Sequence, residues 1–160
     1  MPHPSSNNNR LLEVKNLKMF FPLASGSIFH HKSTDIKAVD NVSFSINRGD
    51  TLGLVGESGS GKTTLGKCIL QLHKPTSGDV IFDGQRLNDL NHNRMRTIRR
   101  KMQIIFQDPY SSLNPRMTCG DIIGEPLIVH KLTTSRAEYR NRVTELLKIV
   151  DLNPYMADRY

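Results

Sequence analysis

The sequence predicts an α/β fold, and three observations carry that expectation. Thr51-Leu52-Gly53-Leu54-Val55 reads as a short buried strand that runs through a glycine-rich loop into residues 64–72, where Leu65, Ile69 and Leu72 recur at helical spacing. Val42, Phe44 and Ile46 alternate with Ser43, Ser45 and Asn47, the period of a half-buried strand. Val143, Leu146, Leu147 and Val150 fall at i, i+3, i+4 and i+7 behind Ser135-Arg136-Ala137-Glu138, a helix-capping pattern. At 160 residues the chain can build one domain of usual size around a sizeable core.

In chain order, residues 1–10 are polar and read as a disordered tail. Residues 11–15 form a first strand. Phe20 and Phe21 precede Pro22, and as residues they suit either a core or a surface that stacks on something flat. Residues 23–35 are a loop in which His30 and His31 stand side by side with no third ligand nearby, a solvated pair rather than a metal site. Residues 36–46 are a strand, and the turn Arg48-Gly49-Asp50 pairs it antiparallel with the strand at 51–55. Residues 74–78 turn again. Residues 79–83 are a strand whose final Asp83 is followed by Gly84 rather than by a second carboxylate, so Asp83 reads as a hairpin turn residue. Residues 87–101 form a basic helix carrying Arg94, Arg96, Arg99, Arg100 and Lys101. Residues 102–106 are a short apolar strand with Gln107 at its end, where ligands meet the edge of an α/β sheet. Residues 117–131 are helical in parts, interrupted at Pro126.

The chemistry concentrates at Gly56, Glu57, Ser58, Gly59, Ser60, Gly61, Lys62 and Thr63, which fit the phosphate-binding pattern G-x-x-x-x-G-K-[ST]. Phosphates crowd negative charge into a small volume, so a loop that holds them must turn its backbone N–H groups inward. The three glycines permit that conformation and the close approach it needs. Lys62 adds a point charge for the β- and γ-oxygens, Thr63 a hydroxyl for Mg²⁺, and the helix that begins there points its positive end at the phosphates. A plain glycine-rich turn needs neither Lys62 nor Thr63.

The net charge of +7 suits anionic partners or a solvated basic face. Cys68 and Cys119 form no framework, and Cys68 falls inside the helix after the loop, as a small core residue does. No apolar run approaches the length of a membrane span, about 20 residues. The basic segment has no interleaved aromatics, so it offers no stacking platform for nucleic acid.

These residues together resemble the ATP-binding subunit of ABC transporters, in its oligopeptide/dipeptide import form. The phosphate loop, continued by Thr64, carries one half of the likeness. The stretch Phe106-Gln107-Asp108-Pro109-Tyr110-Ser111-Ser112-Leu113-Asn114-Pro115 carries the other, as the Q-loop of the peptide-transporter form. The resemblance implies a P-loop NTPase core with a flanking antiparallel β-subdomain over residues 11–109 and the start of an α-helical subdomain over residues 110–160. It implies ATP and Mg²⁺ as cofactors. Phe21 stacks on the base, with Phe20 as the fallback if the alignment slips by one. Residues 56–64 cradle the phosphates, and Thr63 and Gln107 reach Mg²⁺. It further implies permease subunits and a second ATP-binding subunit, identical or different, as partners, at the cytoplasmic face of a membrane, and argues against nucleic acid.

The family's signature motif, its acidic Mg²⁺-holding strand with the catalytic glutamate, and its switch histidine have no counterpart in the sequence. The expectation is therefore of an incomplete ATP-binding domain without a catalytic residue of its own, hydrolysis-deficient and marginally stable alone. Two alternatives stand beside it: a non-catalytic nucleotide-binding remnant, and a soluble ABC ATPase not involved in transport.

Overall fold

The computed structural model describes residues 9–23 and 35–160; the His30-His31 pair and most of the expected tail lie outside them. The chain forms two compact units, Met1–Gln103 and Ile104–Tyr160.

The first unit is built on a four-stranded antiparallel sheet in the order β2-β1-β3-β4. The strands are β1 (Arg10–Pro22), β2 (Asp35–Asn47), β3 (Ser77–Phe82) and β4 (Gln85–Arg86). β1 lies between β2 and β3, pairing Val14 with Phe44 on one side and with Val80 on the other. It therefore extends well beyond residues 11–15 and includes Phe20 and Phe21. A register irregularity between Val14 and Leu17 places Asn16 at φ 47°, and its N–H donates to Ser43 Oγ at 2.7 Å. β3 and β4 form the hairpin expected at Asp83-Gly84, with both residues at positive φ (50° and 75°) as a tight two-residue turn requires. Asp83 also receives ion pairs from Arg48 and Lys101.

Helix α1 (Lys62–Ile69) lays Leu65 and Cys68 into the core formed by Leu12, Val14, Leu17, Val39, Val80 and Phe82. Burial raises the Cys68 thiol pKa above its ordinary value. The expected basic helix is shorter than 87–101: a 3₁₀ turn at Leu87–Asp89 precedes α2 (His92–Arg99). The Asn91 side chain separates the two by accepting from Arg94 N–H as the cap of α2. Met95 and Ile98 face the core, and Arg94, Arg96 and Arg100 face solvent.

Two expected strands do not form. Residues 51–55 make no ladder, and Leu52, Leu54 and Val55 are exposed, Val55 at 95%. Residues 102–106 likewise make no ladder, with Ile105 at 94% exposure, and Met102 N–H instead donates to Arg99 O at 3.2 Å. The expected pairing of 36–46 with 51–55 is replaced by pairing of β2 with β1. The reason is the same in both runs. An apolar pattern nominates a strand, but only a neighbouring backbone completes one, and no described strand pairs with either run.

The second unit contains the short α3 (Pro109–Ser112), α4 (Cys119–Val129), α5 (Arg136–Ile149) and a 3₁₀ turn at Pro154–Asp158. α4 runs through Pro126 rather than breaking there. Leu127, Val143 and Leu147 form its core, with Ile123, Tyr139 and Ala157 packed on it. Gly124 makes this packing possible, because a Cβ there would collide with the Tyr139 ring. α5 ends at Ile149, which leaves Val150 exposed and outside the expected stripe. Among the described residues no helix is long and apolar enough to cross a membrane.

Candidate nucleotide-binding site

The loop from Gly56 to Gly61 connects residues 51–55 to α1, and its conformation follows from its glycines. Gly59 and Gly61 sit at φ 81° and 91°, in the left-handed region that side chains avoid. At Gly61 space is also forbidding, because a Cβ would run into the Ala38 carbonyl of β2. A Cβ on Gly56 would stand 2.7 Å from Ser60 Oγ. The loop closes with Ser60 N–H donating to the Glu57 carbonyl at 3.2 Å.

Lys62 folds back over this loop. Its Nζ donates to Gly56 O at 2.6 Å, Glu57 O at 2.5 Å and Ser60 Oγ at 3.2 Å. Those three acceptors match the three N–H donors of an ammonium group. The loop thus holds its own cation in the space its backbone encloses.

The start of α1 differs from the other long helices. α2, α4 and α5 are capped by the side chains of Asn91, Thr118 and Ser135. α1 has Gly61 at that position and no side-chain cap, with no acidic residue in its first turn. Its first N–H groups and positive dipole end therefore suit an external anion. Thr63 and Thr64 lie in this turn, Thr63 exposed and Thr64 half-buried. Glu57 and Ser58 complete the exposed rim of the loop.

Phe21 lies one residue from the end of β1, half-buried, paired in register with Ile36. Its ring meets the imidazole of His73 edge to face, a contact that no local pattern foretells. Phe20 faces Lys37, whose Nζ stands 5.6 Å from the ring centroid. The structure thus brings Phe21 and residues 56–64 into one unit. Gln107 belongs to the second unit, exposed at a bend just before α3. Asp108 next to it accepts from Tyr110 N–H at 3.1 Å and from Ser112 Oγ at 2.7 Å, which fixes the start of α3.

The second unit also contains a cleft of about 930 Å³ lined by Thr118, Asp121, Thr134, Arg136, Tyr139 and Arg140 among others. The Tyr139 hydroxyl donates to Gly120 O at 3.2 Å, and burial, helped by the Asp121 charge, raises its pKa. No local motif announces this cleft; it exists because α4, α5 and the 3₁₀ turn pack together.

Residues 39–160 match the family model for ABC transporters. The chain belongs to the ABC transporter family. It is 46% identical over 157 residues to the oligopeptide transport ATP-binding protein AppF of Bacillus subtilis, covering 98% of this chain and 47% of that protein. It is 48% identical over 152 residues to the oligopeptide transport ATP-binding protein OppF of the same organism, covering 94% and 47%. The glutathione import ATP-binding protein GsiA of Pectobacterium atrosepticum is 47% identical over 150 residues, covering 94% of this chain and 24% of that protein. Among solved structures, a dimeric bacterial ABC transporter cassette superimposes with a TM-score of 0.73 at 31% identity, over 93% of this chain and 61% of that one. The α/β P-loop fold is thereby established for the chain, which spans about half the length of the AppF and OppF relatives it matches.

Proposed function

We propose that this chain binds Mg²⁺-ATP and supplies the phosphate-gripping part of an ATPase that drives peptide import. One observation carries the reading: the loop at 56–61 encloses Lys62 Nζ and opens onto an uncapped helix start, a cradle for oxyanions with its cation already in place. In this reading Gly56, Glu57, Ser58, Gly59, Ser60, Gly61, Lys62, Thr63 and Thr64 hold the phosphates, and the Phe21 ring stacks on the base.

The donor set fits magnesium. Among the described residues no three His, Cys, Asp or Glu side chains cluster to cage a metal. Thr63, exposed at the start of α1, offers a hard, neutral oxygen, the kind that completes the shell of an ion held chiefly by phosphates and water. When bound, the ion neutralises phosphate charge. The chain's own contribution is to orient the phosphates against Lys62 and the α1 N-terminus.

The names of the relatives support peptide import as the task, and the dimeric cassette supports a second ATP-binding subunit as partner. Permease subunits at the cytoplasmic membrane face complete the proposal, docking on the helical second unit. The family's hydrolysis of ATP is proposed for a protein of the relatives' length.

Replacing the lysine tests the reading. Lys62→Ala lowers Mg²⁺-ATP affinity at least tenfold, a loss of about 1.4 kcal/mol, by isothermal titration. Superimposable titration curves for the two proteins overturn it.

A further inference from the structure

Among the described residues, no strand flanks the aromatic end of β1 on its β3 side. β3 pairs with β1 only as far as Lys18, opposite Ser77. Beyond that point, the segment after α1 takes over. Thr76 N–H donates to Lys18 O at 2.8 Å, and Phe20 N–H donates to Thr76 Oγ1 at 2.9 Å. His73, anchored by its own N–H to Lys67 O at 3.2 Å, then meets the Phe21 ring. The two centroids are 5.8 Å apart and the ring planes stand at 87°. Both side chains are half-buried, so the pair is accessible at the end of the sheet.

The same helix thus serves both ends of the site. α1 starts at Lys62, in the phosphate loop, and the turn that follows it supports the ring one residue from the end of β1. A phenylalanine ring can stack on a planar ligand only if it presents a face, and an edge-to-face neighbour restricts which way that ring can turn.

We infer that His73 is a positioning residue for base recognition: it orients the Phe21 ring against a purine base and so sets the preference for a nucleotide over bare polyphosphate. This rests on the proposed role of Phe21 in nucleotide binding. His73 acts through Phe21 and is distinct from the phosphate-binding residues.

The test compares two ligands, Mg²⁺-ATP and Mg²⁺-tripolyphosphate, titrated into the 160-residue chain. His73→Ala weakens ATP binding about threefold, the scale of one aromatic pair, and leaves tripolyphosphate binding unchanged. His73→Phe, which keeps an aromatic neighbour, restores the ATP preference. Phe21→Ala removes that preference outright. If Phe21→Ala acts and His73→Ala leaves ATP affinity at the native value, the positioning role is wrong and the base contact stands. If His73→Ala weakens both ligands equally, the residue merely supports the loop and the inference also fails. If Phe21→Ala itself leaves ATP affinity unchanged, the stacking role of Phe21 is wrong and the inference falls with it.

Discussion

Apolar runs of similar composition meet opposite fates within the first unit. β1 carries Leu12, Val14 and Leu17 into the core, with Leu17 fully buried. Residues 51–55 carry Leu52, Leu54 and Val55 just ahead of the phosphate loop, and there the side chains are 50%, 52% and 95% exposed. The difference lies in the backbone. Between residues 12 and 18, β1 has a strand partner on each side to pair with its N–H and C=O groups. Residues 51–55 have no ladder partner among the described residues, and their side chains stay exposed. Hydrophobicity nominates a strand; a neighbouring strand makes it one.

Truncating a side chain in each region gives the widest separation. Leu17→Ala empties part of a closed core and costs about 2–5 kcal/mol. Val55→Ala, at a site with almost nothing around it, changes stability by no more than about 0.5 kcal/mol. Urea unfolding reads both, and equal midpoint shifts would break the contrast between the paired and unpaired runs.

Glycine substitutions sharpen the same contrast on a smaller scale. Gly78, the second residue of β3, sits at φ 87°, and a Cβ there would collide with the backbone of Asn16 and Leu17 in β1. Its carbonyl also accepts from Asn88 Nδ2 at 3.1 Å. Gly78→Ala therefore destabilises by about 1–3 kcal/mol. Gly53, between Leu52 and Leu54, has open space where a methyl group would stand, with no atom within 4 Å, and no positive φ. Gly53→Ala is neutral or stabilising by up to about 1 kcal/mol, through loss of unfolded-state freedom. Thermal melts that lower both variants alike would show that residues 51–55 are as constrained as the sheet.

What the sequence made legible was local. The loop at 56–63, the turn at Asp83-Gly84 and the cap at Ser135 are each specified within a few residues, and each stands where the pattern put it. The α/β class was legible for the same reason. The pairing of β2 with β1, the missing ladders at 51–55 and 102–106, and the meeting of Phe21 with His73 depend on segments far apart in the chain. No local pattern encodes which backbone lies next to which. Pro126 misled in the opposite direction: a local rule predicted a break, and the packing of Leu127 in the α4–α5 core carried the helix through it.

The smallest predicted effect concerns the N-terminus of α5, where the sequence was nearly right. Ser135 Oγ accepts from Glu138 N–H at 3.1 Å, as a capping box requires. The reciprocal bond is displaced by one residue: the Glu138 carboxylate accepts from Thr134 N–H at 2.7 Å and from Thr134 Oγ1 at 2.8 Å. Those donors, the Thr134 backbone first, favour the charged carboxylate and lower its pKa below the ordinary value. A carboxylate lowered on folding stabilises fully above its unfolded pKa of about 4.3, and the contribution is lost as pH falls through the lower folded value. Glu138→Gln therefore melts below the native chain at pH 7, and the gap closes as the pH drops through that window. A gap that stays constant down to about pH 3, below the unfolded value, would mean that the displaced cap contributes through shape alone, with no part played by charge.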